Sequence, residues 1–171
     1  MNLMTDALHA ARNRFIDSWG EMGPKWGIPK AMAQIHALLM VSEKPLSTDD
    51  VMELLEISRG NANTNLRALA DWGLARRVFV KGDRKEYFQS DKDVWNMFCR
   101  IARERKKREI EPAIETMQEC LAAVAKDKTA APFRERLEQL LDLLKTLDYI
   151  FGKLALQERN AIIPRILKLL S

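Results

Sequence analysis

The sequence has few of the residues from which catalytic, metal and disulfide sites are usually built. Its 171 residues include two cysteines and two histidines, and none of them falls in a metal-ligand spacing. The GxxxxGK[ST] loop, the GxSxG elbow and the GxGxxG turn are also missing. We therefore expect no enzyme, no metal and no cofactor. Cys99 and Cys120 fit a reducing compartment, as inert thiols or, alternatively, as a redox sensor.

Long hydrophobic runs, glycine and proline are scarce as well. No apolar stretch reaches the roughly 18 residues that span a bilayer, and the first residues lack the pattern of a secretion signal. We therefore expect a cytoplasmic protein. Seven glycines and six prolines, in a chain that is 47% hydrophobic and 30% charged, predict mainly helical structure around a substantial core.

Positive charge is concentrated in one stretch of the chain. The whole sequence has a formal net charge of +4, whereas residues 57–85 alone carry a surplus of five positive charges. The remainder of the chain is therefore nearly neutral. A local basic footprint of this kind is typical of a protein that meets a polyanion with one face.

Hydrophobic periodicity and capping signals predict a helical unit that ends in a β-hairpin. The predicted elements are helices over residues 3–22, 30–41, 48–56 and 58–73, and strands over 74–80 and 86–89 joined by a turn. Helices followed by a basic hairpin are the elements of a winged helix-turn-helix, whose recognition helix lies in the DNA major groove. The predicted fold class is mainly α, with a two-stranded β-wing and flanking dimerisation helices.

The helix over residues 58–73 begins with residues that disfavour helix but suit DNA. Glycine and asparagine are poor helix formers, whereas asparagine amides pair with adenine and arginine pairs with guanine. Gly60 would let the helix backbone approach DNA, and the basic hairpin tip would hold phosphates. The predicted DNA-binding residues are Ser58, Arg59, Gly60, Asn61, Asn63, Thr64, Asn65, Arg67, Arg76, Arg77, Lys81, Arg84 and Lys85. The alternative interpretation is simple capping by the asparagines and a solvated charge at the tip.

Beyond residue 90 the pattern is helical to the end of the sequence. Ser90 is the predicted cap, and Pro112 is expected to kink or restart the helix. Apolar residues then recur at alternating steps of four and three, which indicates a heptad seam that needs a partner helix from the same chain or a second copy. The seam consists of Phe133, Leu137, Leu140, Leu144, Leu147, Phe151 and Leu154, and an apolar tail follows at 162–170. The predicted organisation is a supporting helix at 1–29, a winged domain at 30–90 and dimerisation helices at 91–171.

Two segments, "SRGNANTNLRAL" and "VFVKGDRK", resemble the GbsR-type branch of the MarR transcriptional regulators. The signature of that branch is S-[KR]-G-N-x-[ST]-x-N-L-R-x-L, followed by a V-W-V-K-G-[DE]-R-K wing. This sequence departs from it at Asn63, in place of Ser or Thr, and at Phe79, in place of Trp. The resemblance covers roughly residues 28–118. It implies a homodimeric bacterial repressor or activator, and we expect such a dimer to read a palindromic operator.

The resemblance also implies that a small molecule controls some members of the branch, choline and glycine betaine among them. Aromatic side chains suited to a quaternary-ammonium cage are present at Trp19, Trp26, Trp95, Tyr149 and Phe151. The alternative is that these aromatics pack in the core and the interface. The alternative function is a winged-helix adaptor that binds proteins without sequence-specific DNA binding.

Overall fold

The protein, described here by a computed structural model of residues 6–156, forms two compact units. Among the described residues, the first unit runs to residue 97 and the second begins at residue 98. The side chains of residues 154–156 and the predicted apolar tail lie outside the described residues. Within the part of the chain that the structure describes, no helix is long and apolar enough to cross a membrane.

The first unit has the element order predicted for a winged helix. Its elements are α1 (Asp6–Lys25), α2 (Lys30–Val41), β1 (Leu46–Ser47), α3 (Thr48–Leu55), α4 (Arg59–Asp71), β2 (Ala75–Val78) and β3 (Tyr87–Ser90). Helix α1 belongs to this unit and packs on α2. The predicted three-part organisation into residues 1–29, 30–90 and 91–171 stays a prediction.

Helix α1 extends three residues beyond its predicted end at Met22. Pro24 lies inside its last turn. The loss of one N–H donor there does not break the helix, because the helix ends one residue later. The buried glycines of this helix permit close packing on α2. A Cβ atom at Gly23 would lie 2.8 Å from the Cβ atom of Ala33, closer than such atoms approach in real structures.

The core of the first unit surrounds α2. This helix packs against α1, α3, α4 and β3, so apolar side chains are buried all around it, as its composition requires. Side chains that are almost completely buried include Ile35 and Leu39 of α2, Val51 of α3, and Leu66 and Leu69 of α4. Each contributes roughly 1.5–3 kcal/mol relative to an exposed side chain, and together they fix α4 against the rest of the unit.

The two predicted strands of the wing, β2 and β3, form a hairpin, and a third strand, β1, which the sequence analysis did not predict, pairs with β3. The antiparallel strand order is β1-β3-β2, with Leu46 opposite Phe88 and Val78 opposite Tyr87. The two-residue strand β1 escaped the sequence analysis because it is shorter than any periodic pattern. Ser47 ends β1 and also caps α3 in a capping box with Asp50, so the base of the wing is tied to α3.

The prediction that Ser90 caps the following helix is wrong. Ser90 is buried at the end of β3, and α5 (Val94–Arg105) begins only after a short turn. Asp93 is the cap, because its Oδ1 atom accepts the N–H groups of Trp95 at 2.8 Å and Asn96 at 3.1 Å. The Nζ atom of Lys92, in the same turn, donates to three backbone carbonyls at the end of α2, those of Leu39, Met40 and Ser42.

The second unit continues α5 into a helical hairpin. Its elements are a π-helical turn (Lys106–Ile110), α6 (Glu111–Ala123), a 3₁₀ turn (Lys128–Ala130) and α7 (Ala131–Leu156). Pro112 restarts the helix as predicted, since the π-helical turn ends immediately before α6, in whose first turn this proline lies. Lys106 forms ion pairs of 3.0 Å with both Glu111 and Asp148, which join the turn to α7.

The predicted seam on α7 is only partly covered within the second unit. Leu137, Leu144, Leu147 and Phe151 are half-buried, whereas Phe133 and Leu140 are 48% and 42% exposed. Among the α7 side chains that the structure describes, the buried one is instead Leu141, one position off the seam. Of the two cysteines, Cys99 is buried and Cys120 is exposed, and a redox role stays a prediction.

Candidate nucleic-acid interface

Helix α4 presents one buried side and one polar side. Ser58 caps it, with its hydroxyl accepting the N–H of Asn61 at 3.3 Å. Ala62, Leu66 and Leu69 are buried, as their helical spacing predicted. The side chains that face solvent over the first two and a half turns are those of Arg59, Asn61, Thr64 and Arg67.

Asn65 does not lie on this polar side, contrary to the prediction that it contacts DNA from its flank. Its side chain is buried, with 7% exposure. The Nδ2 atom of Asn65 donates to the backbone carbonyl of Asn61 at 2.9 Å and to its Oδ1 atom at 2.6 Å. Because α4 packs on the core, the Asn65 side chain points inward, and its amide donates hydrogen bonds to Asn61 rather than to a base. Asn61 therefore keeps its NH₂ group and one lone pair of its Oδ1 atom for a partner outside the protein.

Asn63 is half-buried and also takes part in a contact inside the protein. Its Oδ1 atom accepts a hydrogen bond of 3.3 Å from the hydroxyl of Thr48, at the start of α3. This bond links the two helices of the helix-turn-helix. Its role in DNA binding stays a prediction.

Gly60 occupies open space. A Cβ atom built there would meet no heavy atom within 4 Å, and the backbone of this residue has no positive φ angle. Neither packing nor backbone conformation therefore requires glycine at this position. A bare backbone on the exposed first turn of a helix is a surface that another molecule can approach closely.

The wing ends in a turn held by its own side chains. Gly82 has a φ of 89°, a value that glycine adopts without strain, and the N–H of Asp83 donates to the carbonyl of Val80 at 3.1 Å. The carboxylate of Asp83 accepts the backbone N–H of Lys85 at 2.9 Å and the hydroxyl of Tyr87 at 2.8 Å. These two hydrogen bonds hold the pKa of Asp83 below its usual value.

The predicted cationic side chains of the wing are all exposed. Arg76 donates to the amide of Gln89 at 3.5 Å, and Arg77 forms an ion pair of 3.3 Å with Glu86 across the hairpin. The remaining wing cations are Lys81, Arg84 and Lys85. Beside them Phe79 is 91% exposed, so the wing tip carries an apolar ring as well as positive charge.

One carboxylate joins the wing tip to the recognition helix. The Oδ1 atom of Asp49, in the first turn of α3, lies 2.5 Å from an Nη2 atom of Arg59, and its Oδ2 atom lies 3.1 Å from the Nζ atom of Lys85. The Lys85 ammonium and the Arg59 guanidinium hold the pKa of Asp49 below its usual range, and Asp49 raises the pKa of Lys85. The sequence analysis predicted no role for Asp49, because a negatively charged residue in the first turn of a helix is already explained by its favourable interaction with the helix dipole.

The five predicted effector-binding aromatics are divided between the two units, with Trp19, Trp26 and Trp95 in the first and Tyr149 and Phe151 in the second. Trp19 and Trp26 pack edge to face with ring centroids 5.6 Å apart, an arrangement that stabilises α1 by packing. Trp95 lies at the start of α5, and Tyr149 and Phe151 lie on α7. Two clefts among the described residues, of about 360 and 210 Å³, have none of the five in their walls. Effector binding stays a prediction.

Comparison with known proteins relates the first unit to a family. Residues 26–86 match the family model described as MarR family, which confirms the resemblance seen in the sequence. The HTH-type transcriptional repressor GbsR of Bacillus subtilis (strain 168) is 24% identical over 120 residues, which are 70% of this chain and 66% of that protein.

Two further proteins of Bacillus subtilis (strain 168) are similar to this chain. The HTH-type transcriptional repressor OpcR is 22% identical over 56% of this chain and 52% of its own length. The putative HTH-type transcriptional regulator YvaV is 22% identical over 55% and 53%. The chain thus spans between half and two thirds of the length of these curated relatives.

A solved structure shares the fold. The crystal structure of a transcriptional regulator matches with a TM-score of 0.70 and 23% identity, over 85% of this chain and 95% of that one. This likeness confirms the predicted fold class, a mainly helical chain with a winged helix.

Proposed function

We propose that this chain, whose residues 26–86 form a MarR-family winged helix, is a cytoplasmic, sequence-specific DNA-binding regulator of transcription that acts as a homodimer. The observation that carries the proposal is the solvent face of α4. There a glycine that neither packing nor conformation requires adjoins exposed amide, hydroxyl and guanidinium groups. Two relatives named as transcriptional repressors support the same function.

In the proposed complex the start of α4 lies in the major groove. Asn61 and Thr64 face the base edges, where an amide can pair with adenine and a hydroxyl with several bases. Arg67 projects from the same face one turn further along and reaches a guanine or an adjacent phosphate. Gly60 brings the helix backbone close to the DNA. Asn65 acts through Asn61, whose amide it orients.

The wing supplies contacts that depend less on sequence. Lys81, Arg84 and Lys85 neutralise phosphates and so contribute the salt-dependent part of the affinity. Phe79, with 91% of its surface exposed, lies at the position where an apolar ring can contact the minor groove or the sugars. A wing that carries both cations and an apolar ring can contact the DNA backbone and the minor groove beside the major groove that α4 occupies.

Dimerisation is proposed from the apolar surface left exposed on α7. Leu140, Leu143 and Ile150 are 42–54% exposed on a helix with a heptad pattern. A second copy would cover them and would present two recognition helices to a palindromic site, with centres about 34–36 Å apart. An effector bound beside the dimer helices would regulate the protein by shifting the population of dimers that have this spacing.

Selection of genomic DNA by the purified full-length protein tests the proposal. Sheared DNA from the source genome is incubated with the protein, and retained fragments are sequenced. We expect a few fragments that share an inverted repeat. A variant with Asn61→Ala and Arg67→Ala, matched by circular dichroism, is the control and should lose that enrichment. Retention without any shared sequence, or equal enrichment by the variant, would favour the protein-interaction adaptor instead.

A further inference from the structure

The acidic contact between the wing and the recognition helix bears on how tightly the protein binds DNA. Asp49 binds Arg59 of α4 with one oxygen and Lys85 of the wing tip with the other, at 2.5 and 3.1 Å. Both cations belong to the surface proposed to bind DNA. We name the three side chains the Asp49 clasp, and its role in recognition rests on the proposed function.

We propose that the Asp49 clasp is an intramolecular competitor of DNA, which stays closed when the protein meets random DNA and opens, with the loss of its two ion pairs, when α4 is seated on its specific site. In the closed state, Arg59 and Lys85 are paired with the carboxylate of Asp49. In the open state, both cations bind DNA phosphates instead. Asp49 is thus a positioning residue that withholds Arg59 and Lys85 from phosphates until base contacts favour their release.

The chemistry of the three groups permits this exchange. A carboxylate and a phosphate are both anionic oxygen acceptors for guanidinium and ammonium groups, so a DNA phosphate can replace Asp49 directly. The side chains of Arg59, Lys85 and Asp49 are 62%, 56% and 42% exposed. Ion pairs with this exposure are weak, so that the clasp can open, while their loss still lowers the net affinity for DNA.

The clasp stays closed on random DNA because other cations can bind the phosphates of that DNA. Arg67, Lys81 and Arg84 form no ion pair within the described residues and are exposed on the same surface. They can neutralise phosphates without any rearrangement. Opening the clasp becomes favourable only when base contacts seat α4 deeply enough to bring phosphates to Arg59 and Lys85 together.

Asp49→Asn tests the proposal, since asparagine keeps the shape and removes the charge. Binding of the full-length protein is measured by fluorescence anisotropy, on a random duplex and on a duplex recovered by the genomic selection, over a series of salt concentrations. We expect the variant to bind the selected duplex about fivefold more tightly, with an unchanged salt slope, because it no longer loses two ion pairs on binding. On random DNA the gain should be no larger, and the salt slope should become steeper by roughly one to two counterions per subunit, because Arg59 and Lys85 can then bind phosphates.

Glu53→Gln is the matched control, because Glu53 carries the same charge on the same helix and is exposed. It should leave both affinities within about twofold of the wild type, as expected for a surface substitution outside the clasp. An equal gain for Glu53→Gln would reduce the effect to net charge and overturn the proposal. So would unchanged or weaker binding of the selected duplex by Asp49→Asn.

A measurement without DNA separates this proposal from the proposed function. The side-chain NMR signal of Lys85 is titrated in the wild type and in Asp49→Asn. A lower pKa of Lys85 in the variant supports the clasp even if no DNA binding is found, and an unchanged pKa overturns it. If the wild type binds neither duplex while the clasp is detected, then the proposed function has failed and not the contact.

Discussion

The amides of Asn61 and Asn65 have the same chemistry in the sequence and different positions in the structure. Asn61 is exposed, whereas Asn65 is buried and donates to it. Composition and motif could predict that amides are needed at the start of this helix. Only the packing of α4 on the core determines which of them can reach a base.

We expect Asn61→Ala to weaken binding to the selected duplex by about 1–3 kcal/mol and binding to random DNA much less. Asn65→Ala should produce a similar loss in specificity, together with a loss in stability, because a buried amide and its two hydrogen bonds to Asn61 are removed. Anisotropy on both duplexes and urea unfolding measure the two effects. Equal losses on both duplexes for Asn61→Ala would remove this residue from base recognition.

Substitution of Arg84 tests whether the wing contacts DNA phosphates. Arg84→Ala should lower affinity for every sequence and flatten the plot of log affinity against log salt by about one counterion for each phosphate that the variant no longer binds. Lys25→Ala, at the exposed end of α1, is the control and should leave the slope unchanged. A slope that is the same in Arg84→Ala and the wild type would mean that the wing tip does not touch DNA.

Because Phe79 is so exposed, its substitution can change DNA binding with little effect on folding stability. Phe79→Ala should change the free energy of unfolding by less than about 0.5 kcal/mol, as is usual for surface positions. If the ring contacts DNA, affinity falls, whereas Phe79→Trp, which restores the residue of the family signature, retains it. Thermal unfolding and anisotropy on the selected duplex measure these effects. Wild-type affinity in Phe79→Ala would exclude the ring from the interface.

Among the elements, α2 was predicted most closely, and its buried histidine gives it a pH dependence. His36 is 4% exposed, and burial lowers its pKa from 6.5 to about 4. The unfolded chain therefore binds a proton more readily than the native protein between pH 6.5 and 4. The stability from the neutral native histidine is complete above pH 6.5 and is lost as the pH falls through this window.

The wild type should therefore lose roughly 1 kcal/mol of unfolding free energy per pH unit below 6.5 from this group alone. His36→Leu should remove that part of the dependence, while His9→Gln, at an exposed position, should not. Urea unfolding at pH 7, 6 and 5 gives the slopes. The same pH slope in His36→Leu and the wild type would show that His36 does not contribute.

At the level of the whole molecule, the apolar face of α7 predicts a homodimer. Leu140 and Leu143 are both largely exposed on this helix, and their burial in an interface is the simplest way to remove them from water. Light scattering at micromolar concentration should give twice the chain mass of 19.7 kDa. A variant with Leu140→Lys and Leu143→Lys should be monomeric, whereas Gln139→Lys should remain dimeric. A monomeric wild type would contradict the prediction.

The sequence alone determined the helices and the β-hairpin of the first unit, because they depend on local interactions. The cap at Ser58, the capping box at Ser47 and the turn glycine Gly82 act within a few residues, and the period of apolar residues reports which side of a helix is buried. The family resemblance was readable for the same reason, since its motif is contiguous.

Tertiary structure decided everything that depends on neighbours distant in sequence. The third strand β1, the inward position of Asn65 and the burial of Leu141 beside the predicted seam all follow from how elements pack. The Asp49 clasp joins residues 49, 59 and 85, which no periodicity relates. Contacts of this range arise only when the core has fixed α3, α4 and the wing against one another, because only then do three weakly interacting charges lie within hydrogen-bonding distance.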